Sequence, residues 1–287
     1  MSFTLNVLSG AVFAAALAWA LLWAVSRLAP YLRFKGAFPD LTSNAAGERA
    51  RAALRAAERD LLLFAAAASA ALTATAALWI YGSARLTGLW MWLSFALACV
   101  LFAAWWVFLV RGFIIWRRCR YAARAHVALG ATLARLAMHS HRTFHDVPLG
   151  ELTLDHVVVG KLGAYAITLV ARRPGKQGNV VRINGRSIEF QDGFALLDTL
   201  ALAERGARAL ADASAKGLSH RPHVLPVVAV PGWEIAPPQG QAGEVFLINE
   251  KSAVLLLRAS KPPDQLMDQD AAALQEQLTH LCVNKAL

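Results

Sequence analysis

Charge is scarce in this chain of 287 residues. Charged side chains make up 17% of it and apolar ones 57%, against roughly a quarter and roughly half in an ordinary soluble domain. A disordered chain is excluded by that balance. Cysteine is scarce too. Cys99, Cys119 and Cys282 are the only three, and no two are spaced as C-x-x-C, which excludes a disulfide framework and a cysteine-based zinc site. Acidic residues are nearly missing from the first half. Residues 1–141 hold 14 Lys/Arg against 4 Asp/Glu, whereas residues 142–287 hold 15 of each. The whole net charge of +10 therefore belongs to the first half. There is no P-loop, no G-x-S-x-G and no G-x-G-x-x-G, so the motif-borne nucleotide and serine-hydrolase chemistries are excluded.

What the first half has instead is long uncharged runs, at about 5–28, 61–84 and 86–110. Each reaches the roughly 20 residues that a helix needs to cross a bilayer. Arginines crowd the segment after the first run (Arg33, Arg49, Arg51, Arg55, Arg59) and follow the third (Arg111, Arg117, Arg118, Arg120, Arg124), while Arg85 stands alone between the second and third. By the positive-inside rule this pattern predicts an N-terminus outside and a C-terminal domain in the cytoplasm. The expectation is an N-terminal α-helical membrane region of three spans over 1–120, with a cytoplasmic loop at 29–60. It places the protein in the inner (cytoplasmic) membrane as a multi-pass protein, with the lipid bilayer as a partner. Trp79, Trp90, Trp92, Trp105 and Trp106, on or near the span ends, read as interfacial aromatics and helix packing. The Ala- and Arg-rich stretch 44–60 reads as a helix, lying on the leaflet or extending the second run.

Residues 121–287 predict a cytoplasmic α/β domain with a mixed sheet. A helix is expected over 122–139, then strands at 151–160 and 164–171. Strands 180–183 and 187–190 flank Asn184-Gly185, a hairpin signal. A periodic helix follows over 194–214, then strands at 223–230, 244–248 and 253–257, and a last helix over 264–282 capped by Asp264. His139, His141, His145 and His156 match no metal-ligand spacing and read as surface histidines.

The segment LDHVVVGKLGAYAI, residues 154–167, resembles the core of the nuclease-related domain family, NERD, within the PD-(D/E)XK nucleases. That resemblance spans about 121–257 and implies a restriction-endonuclease-like core. The family pattern is an Asp opening one strand, a Gly turn, then a strand carrying Glu-x-Lys. Asp155 and Gly163 match. The Glu position is occupied by Thr168 and the Lys position by Val170. The family chemistry needs two carboxylates on a divalent metal and a cation beside the nucleophile, so only Asp155 remains as a catalytic or metal-binding residue. Glu151, Lys161, Arg172 and Glu189 are candidates for relocated groups. The resemblance thus implies a degenerate site and a domain that binds nucleic acid or a protein, with no cofactor. The alternatives are a DNA nuclease with a rearranged Mg or Mn site, or a scaffold that binds only protein. Arg172, Arg173 and Lys176 form a basic loop suited to phosphate contacts.

Overall fold

A computed structural model describes residues 46–85, 88–135, 141–161, 163–175, 178–218, 220–236, 245–253 and 266–283. The chain divides into two compact units. One comprises Met1–Phe38 with Ala53–Cys119, and the other Pro39–Ala52 with Arg120–Leu287.

Two long helices run through both units, α1 (Glu48–Arg85) and α2 (Leu89–Ala134). Among the described residues no helix is long and apolar enough to cross a membrane. The expected three-span region and the multi-pass inner-membrane placement are corrected accordingly, and the lipid bilayer as partner rested on those spans. The first run, about 5–28, lies outside the described residues. The second is the Ala-, Ser- and Thr-rich end of α1, whose first thirteen residues, ERARAALRAAERD, are heavily charged. The third is the first half of α2, where Trp90, Trp92, Trp105 and Trp106 are of a type that favours interfaces over hydrocarbon. Within the helical unit the Trp105 indole N–H donates to the Phe64 carbonyl. Leu63, Trp90, Leu97 and Trp106 are exposed.

The second unit is an α/β domain. A five-stranded sheet has the order β1-β2-β3-β7-β9, from β1 (Arg142–Leu149), β2 (Leu152–Gly160), β3 (Gly163–Leu169), β7 (Val224–Ala229) and β9 (Phe246–Ile248). The first three strands form an antiparallel meander, and β7 and β9 run parallel to β3. A smaller sheet, β6-β5-β4-β8, is built from β4 (Val180–Asn184), β5 (Ser187–Phe190), β6 (Ala195–Leu196) and β8 (Glu234–Ile235). The β4–β5 hairpin turns on Asn184-Gly185, with Gly185 at φ +58°, as the dipeptide predicts. Helix α3 (Thr199–Ser214) provides the crossover from β3 to β7, and α4 (Asp268–Val283) closes the chain.

Successive side chains on a strand face opposite ways, and both faces of the large sheet are covered. Val157, Val159, Ala164 and Ala166 pack with Leu210 of α3 and with Leu274 and Leu278 of α4. Val158, Tyr165, Ile167 and Val227 pack with Leu129 and Leu133 of α2. Near-continuous apolar runs are what a sheet buried on both faces requires. The α/β mixed-sheet expectation therefore stands, while α3 starts at Thr199 because Ala195–Leu196 pairs with β5. The proposed cap Asp264 and most of the expected strand 253–257 lie outside the described residues.

Candidate functional site

Asp155 lies where β2 leaves its ladder with β3. The two strands pair from Gly160↔Gly163 up to His156↔Ile167 and no further. Beyond that point the Leu169 backbone N–H has no strand acceptor from β2. The Asp155 carboxylate takes its place, accepting from Leu169 at 2.7 Å. On the other side, β1 pairs His145 with His156 and Val147 with Leu154, skipping the step between. Asp146 occupies that step with φ +51°, a left-handed conformation that Asp tolerates better than most residues. It resets the alternation: Val147 and Leu154 join the aliphatic face, while His145 and His156 meet on the other.

The motif positions do not complete a nuclease site. Thr168 is half-buried in β3 opposite Val228. Val170 packs against the small-sheet core formed by Val181, Phe190 and Trp233. The relocated candidates are engaged elsewhere or remote. Lys161 pairs with Asp268 at 2.9 Å, Glu189 with Arg182 and Asn184, and Arg172 with Asp192. Glu151 is exposed in the β1–β2 turn. Burial pushes the Asp155 carboxyl above its ordinary range, against the pull of the Leu169 N–H and the His126 and Arg49 charges. The charged groups that reach Asp155 are thus Arg49, His126 and Asp146, none of them motif residues.

A cluster of buried histidines adjoins it, contrary to the surface reading of these residues. His145 and His156 are buried cross-strand partners with their Nδ1 atoms 2.6 Å apart. His126 of α2 brings its ring to 5.4 Å from that of His156. His141 is buried too, beside Gly160, and His139 lies outside the described residues. The short Nδ1–Nδ1 contact requires one ring to donate and the other to accept through an unprotonated Nδ1. Burial, with the neighbouring histidines, holds His156 well below its ordinary range. Burial lowers His145 to about 4, although Asp146 pulls the other way. No hydrogen-bond partner reaches His156 Nε2.

The start of α1 closes this cluster. The Arg49 backbone N–H donates to the Asp146 carboxylate at 3.2 Å, so Asp146 caps a helix 97 residues away in sequence. Two glycines allow the approach. A Cβ on Gly47 would come to 2.5 Å from His126 Cβ, and one on Gly130 to 2.4 Å from Ala46 Cβ. Nothing in the sequence flagged His126 or Asp146, and the stretch 44–60, expected as a helix, was not linked to them.

No family model matches the chain, and no curated protein or solved structure is similar to it. Among the described residues no group of three or more His, Cys, Asp or Glu side chains is arranged to hold a metal ion. The residues at the motif positions do not fit the Mg or Mn that the nuclease alternative requires. Asp155 already accepts a backbone N–H, and Thr168 and Val170 supply no carboxylate or cation.

The basic loop is also committed internally. The Arg172 guanidinium stacks 3.9 Å from the Phe194 ring centroid and 5.3 Å from that of Phe190. Its hydrogen bond to Asp192 holds that carboxyl below its ordinary range. The Trp233 indole N–H donates to the Arg172 carbonyl at 2.6 Å. Arg173 is exposed, and Lys176 lies outside the described residues. Phe194, beside Arg172, is exposed, as are Leu197, at 71%, and Leu202.

Proposed function

We propose that the α/β domain is a nuclease-like fold without nuclease chemistry, and that it works by binding a protein. The observation that carries this reading is the Asp155 carboxylate itself. It is spent on the Leu169 N–H, beside a threonine and a valine where a metal-dependent nuclease needs a carboxylate and a lysine. Support for a protein partner comes from the surface beside it. Arg172 pairs with Asp192 and Arg182 with Glu189, which offsets two of the basic side chains that a phosphate backbone would use. Phe194, Leu197 and Leu202 are exposed apolar side chains of the kind that a protein partner would cover.

The test uses the full-length protein with single- and double-stranded DNA in Mg²⁺ or Mn²⁺, beside Asp155→Asn. The expected result is no cleavage by either protein and only weak, non-saturating DNA retention at 150 mM salt. Cleavage by the wild type that the variant lacks would overturn the reading. Tight retention that falls steeply with salt would move the partner to nucleic acid.

A further inference from the structure

A second feature of the α/β domain stands apart from Asp155 and is independent of the reading above. Helix α3 and the segment entering β7 enclose a cleft of about 570 Å³, lined by Glu204, Ala207, Arg208, Ala211, Arg221 and Pro222 to Val224, with Pro226. That volume is in the range of small-molecule sites. Its origin is plain in the topology. Strand β9 pairs with β7 only from Val227 to Ala229, leaving Val224–Pro226 without a described strand on that side. Pro226 has no N–H to offer a further strand. On the helix, Ala207 and Ala211 are one turn apart and too small to fill the space.

The lining divides into three chemistries. Ala207, Ala211, Val224 and Pro226 form an apolar floor. Arg208 and Arg221 bring two guanidinium groups to the rim. Arg221 is partly satisfied by Asp212 at 2.8 Å. Arg208 makes only a long contact to the Glu204 carbonyl, at 3.4 Å, and has no carboxylate partner among the described residues. Glu204 is the one acidic side chain among the described lining residues. It repels a bare anion but accepts from hydroxyl groups beside one. An oxyanion for the arginine fork, hydroxyls for Glu204 and a flat apolar body for the floor together describe one ligand class.

We infer that this cleft binds nucleoside monophosphate chemistry, with the phosphate on Arg208 and Arg221, the sugar hydroxyls on Glu204 and the base over the Ala207–Ala211–Pro226 floor. The same chemistry is carried by a free mononucleotide and by the 5′-phosphorylated end of a strand. The experiment is calorimetric titration of the full-length protein with AMP, adenosine, inorganic phosphate, and a tetranucleotide with or without a 5′-phosphate. AMP is expected to bind saturably, with adenosine and phosphate each at least about tenfold weaker. Arg208→Gln should weaken AMP by about tenfold or more, leave adenosine unaffected, and leave the thermal melt unchanged because Arg208 is exposed. A tetranucleotide that matches AMP only when phosphorylated assigns the site to strand ends, and a weaker one assigns it to the free nucleotide. Absence of AMP binding at millimolar concentration overturns the inference, as does equal binding of adenosine or indifference to Arg208→Gln.

Discussion

On one face of the five-stranded sheet, Val157, Val159, Ala164 and Ala166 meet Leu210, Leu274 and Leu278. On the other, beside Leu129 and Tyr165, His126 meets His145 and His156. Both faces are buried, yet they answer to different variables. Aliphatic burial depends on shape and area and is blind to pH. The buried His145–His156 pair resists protonation, and the start of α1 covers the cluster. The burial depth of a strand residue therefore does not say how robust its contribution is.

The sharpest way to break the comparison is to damage each face separately. Leu210→Ala removes a fully buried side chain from the aliphatic face and should cost about 2–5 kcal/mol. Chemical denaturation should show the same loss at pH 7 and at pH 5.5. Next in size is acid itself. His145 has a folded value of about 4, below its ordinary 6.5, so between those limits the unfolded chain binds a proton that the folded one refuses. Stability is complete above pH 6.5 and falls as pH drops toward 4, by about 3 kcal/mol from this residue. His156, lowered for the same reason, adds to the slope. Asp155, raised by burial, acts in the opposite sense, since its protonated form favours the fold at low pH. Urea midpoints at pH 7, 5.5 and 4.5 measure the net slope. The pair His145→Leu with His156→Phe should flatten it, and an unchanged slope would remove the histidines from the account.

Of the domain, those parts were legible whose signals are local. The β-branched run HVVVG marks β2, HVLPVVAV marks β7, and Asn184-Gly185 marks the hairpin. Strand β1, RTFHDVPL, was missed because it interleaves His145 and Asp146 with apolar residues and its phase resets at Asp146. The first turn of the expected helix at Phe194 was lost to a pairing with β5 that no local pattern announces. Asp155 was legible as a motif residue, but its partner was not, since a backbone N–H carries no side-chain identity. The histidine cluster joins residues of α2, β1 and β2, so its contacts exist only after the sheet is packed. Run length alone is a misleading signal for the second and third apolar runs. Ala and Trp filled much of those runs.

Smaller effects refine the picture around Asp155 and Asp146. Asp155→Ala leaves the Leu169 N–H without its acceptor and should cost about 1–3 kcal/mol. Asp155→Asn keeps an oxygen there and should recover most of that. A catalytic role predicts the reverse pattern, with Asn as damaging as Ala in a cleavage assay while both melt alike. A fragment beginning at Tyr121 lacks Ala46, Gly47 and Arg49. It should be less stable than the full chain, with faster amide exchange at His126 and Asp146, because that segment covers both.

The smallest expected effect concerns Arg172. Its guanidinium is held by two ring faces and a carboxylate, a geometry that a lysine ammonium cannot reproduce. About a third of its side chain is nevertheless exposed, and partly solvated ion pairs contribute little. Arg172→Lys should therefore lower stability by about 0.5–1 kcal/mol, mainly through lost stacking. Positive charge is conserved by the change, so a purely electrostatic contact to phosphate would survive it. Arg172→Gln removes the charge as well. If Arg172 is an internal clamp, both variants melt slightly lower and neither changes DNA retention. If it faces nucleic acid, the glutamine variant alone loses retention, and the salt dependence drops by about one phosphate contact. That single difference between Lys and Gln separates a residue that builds the surface from one that touches the partner.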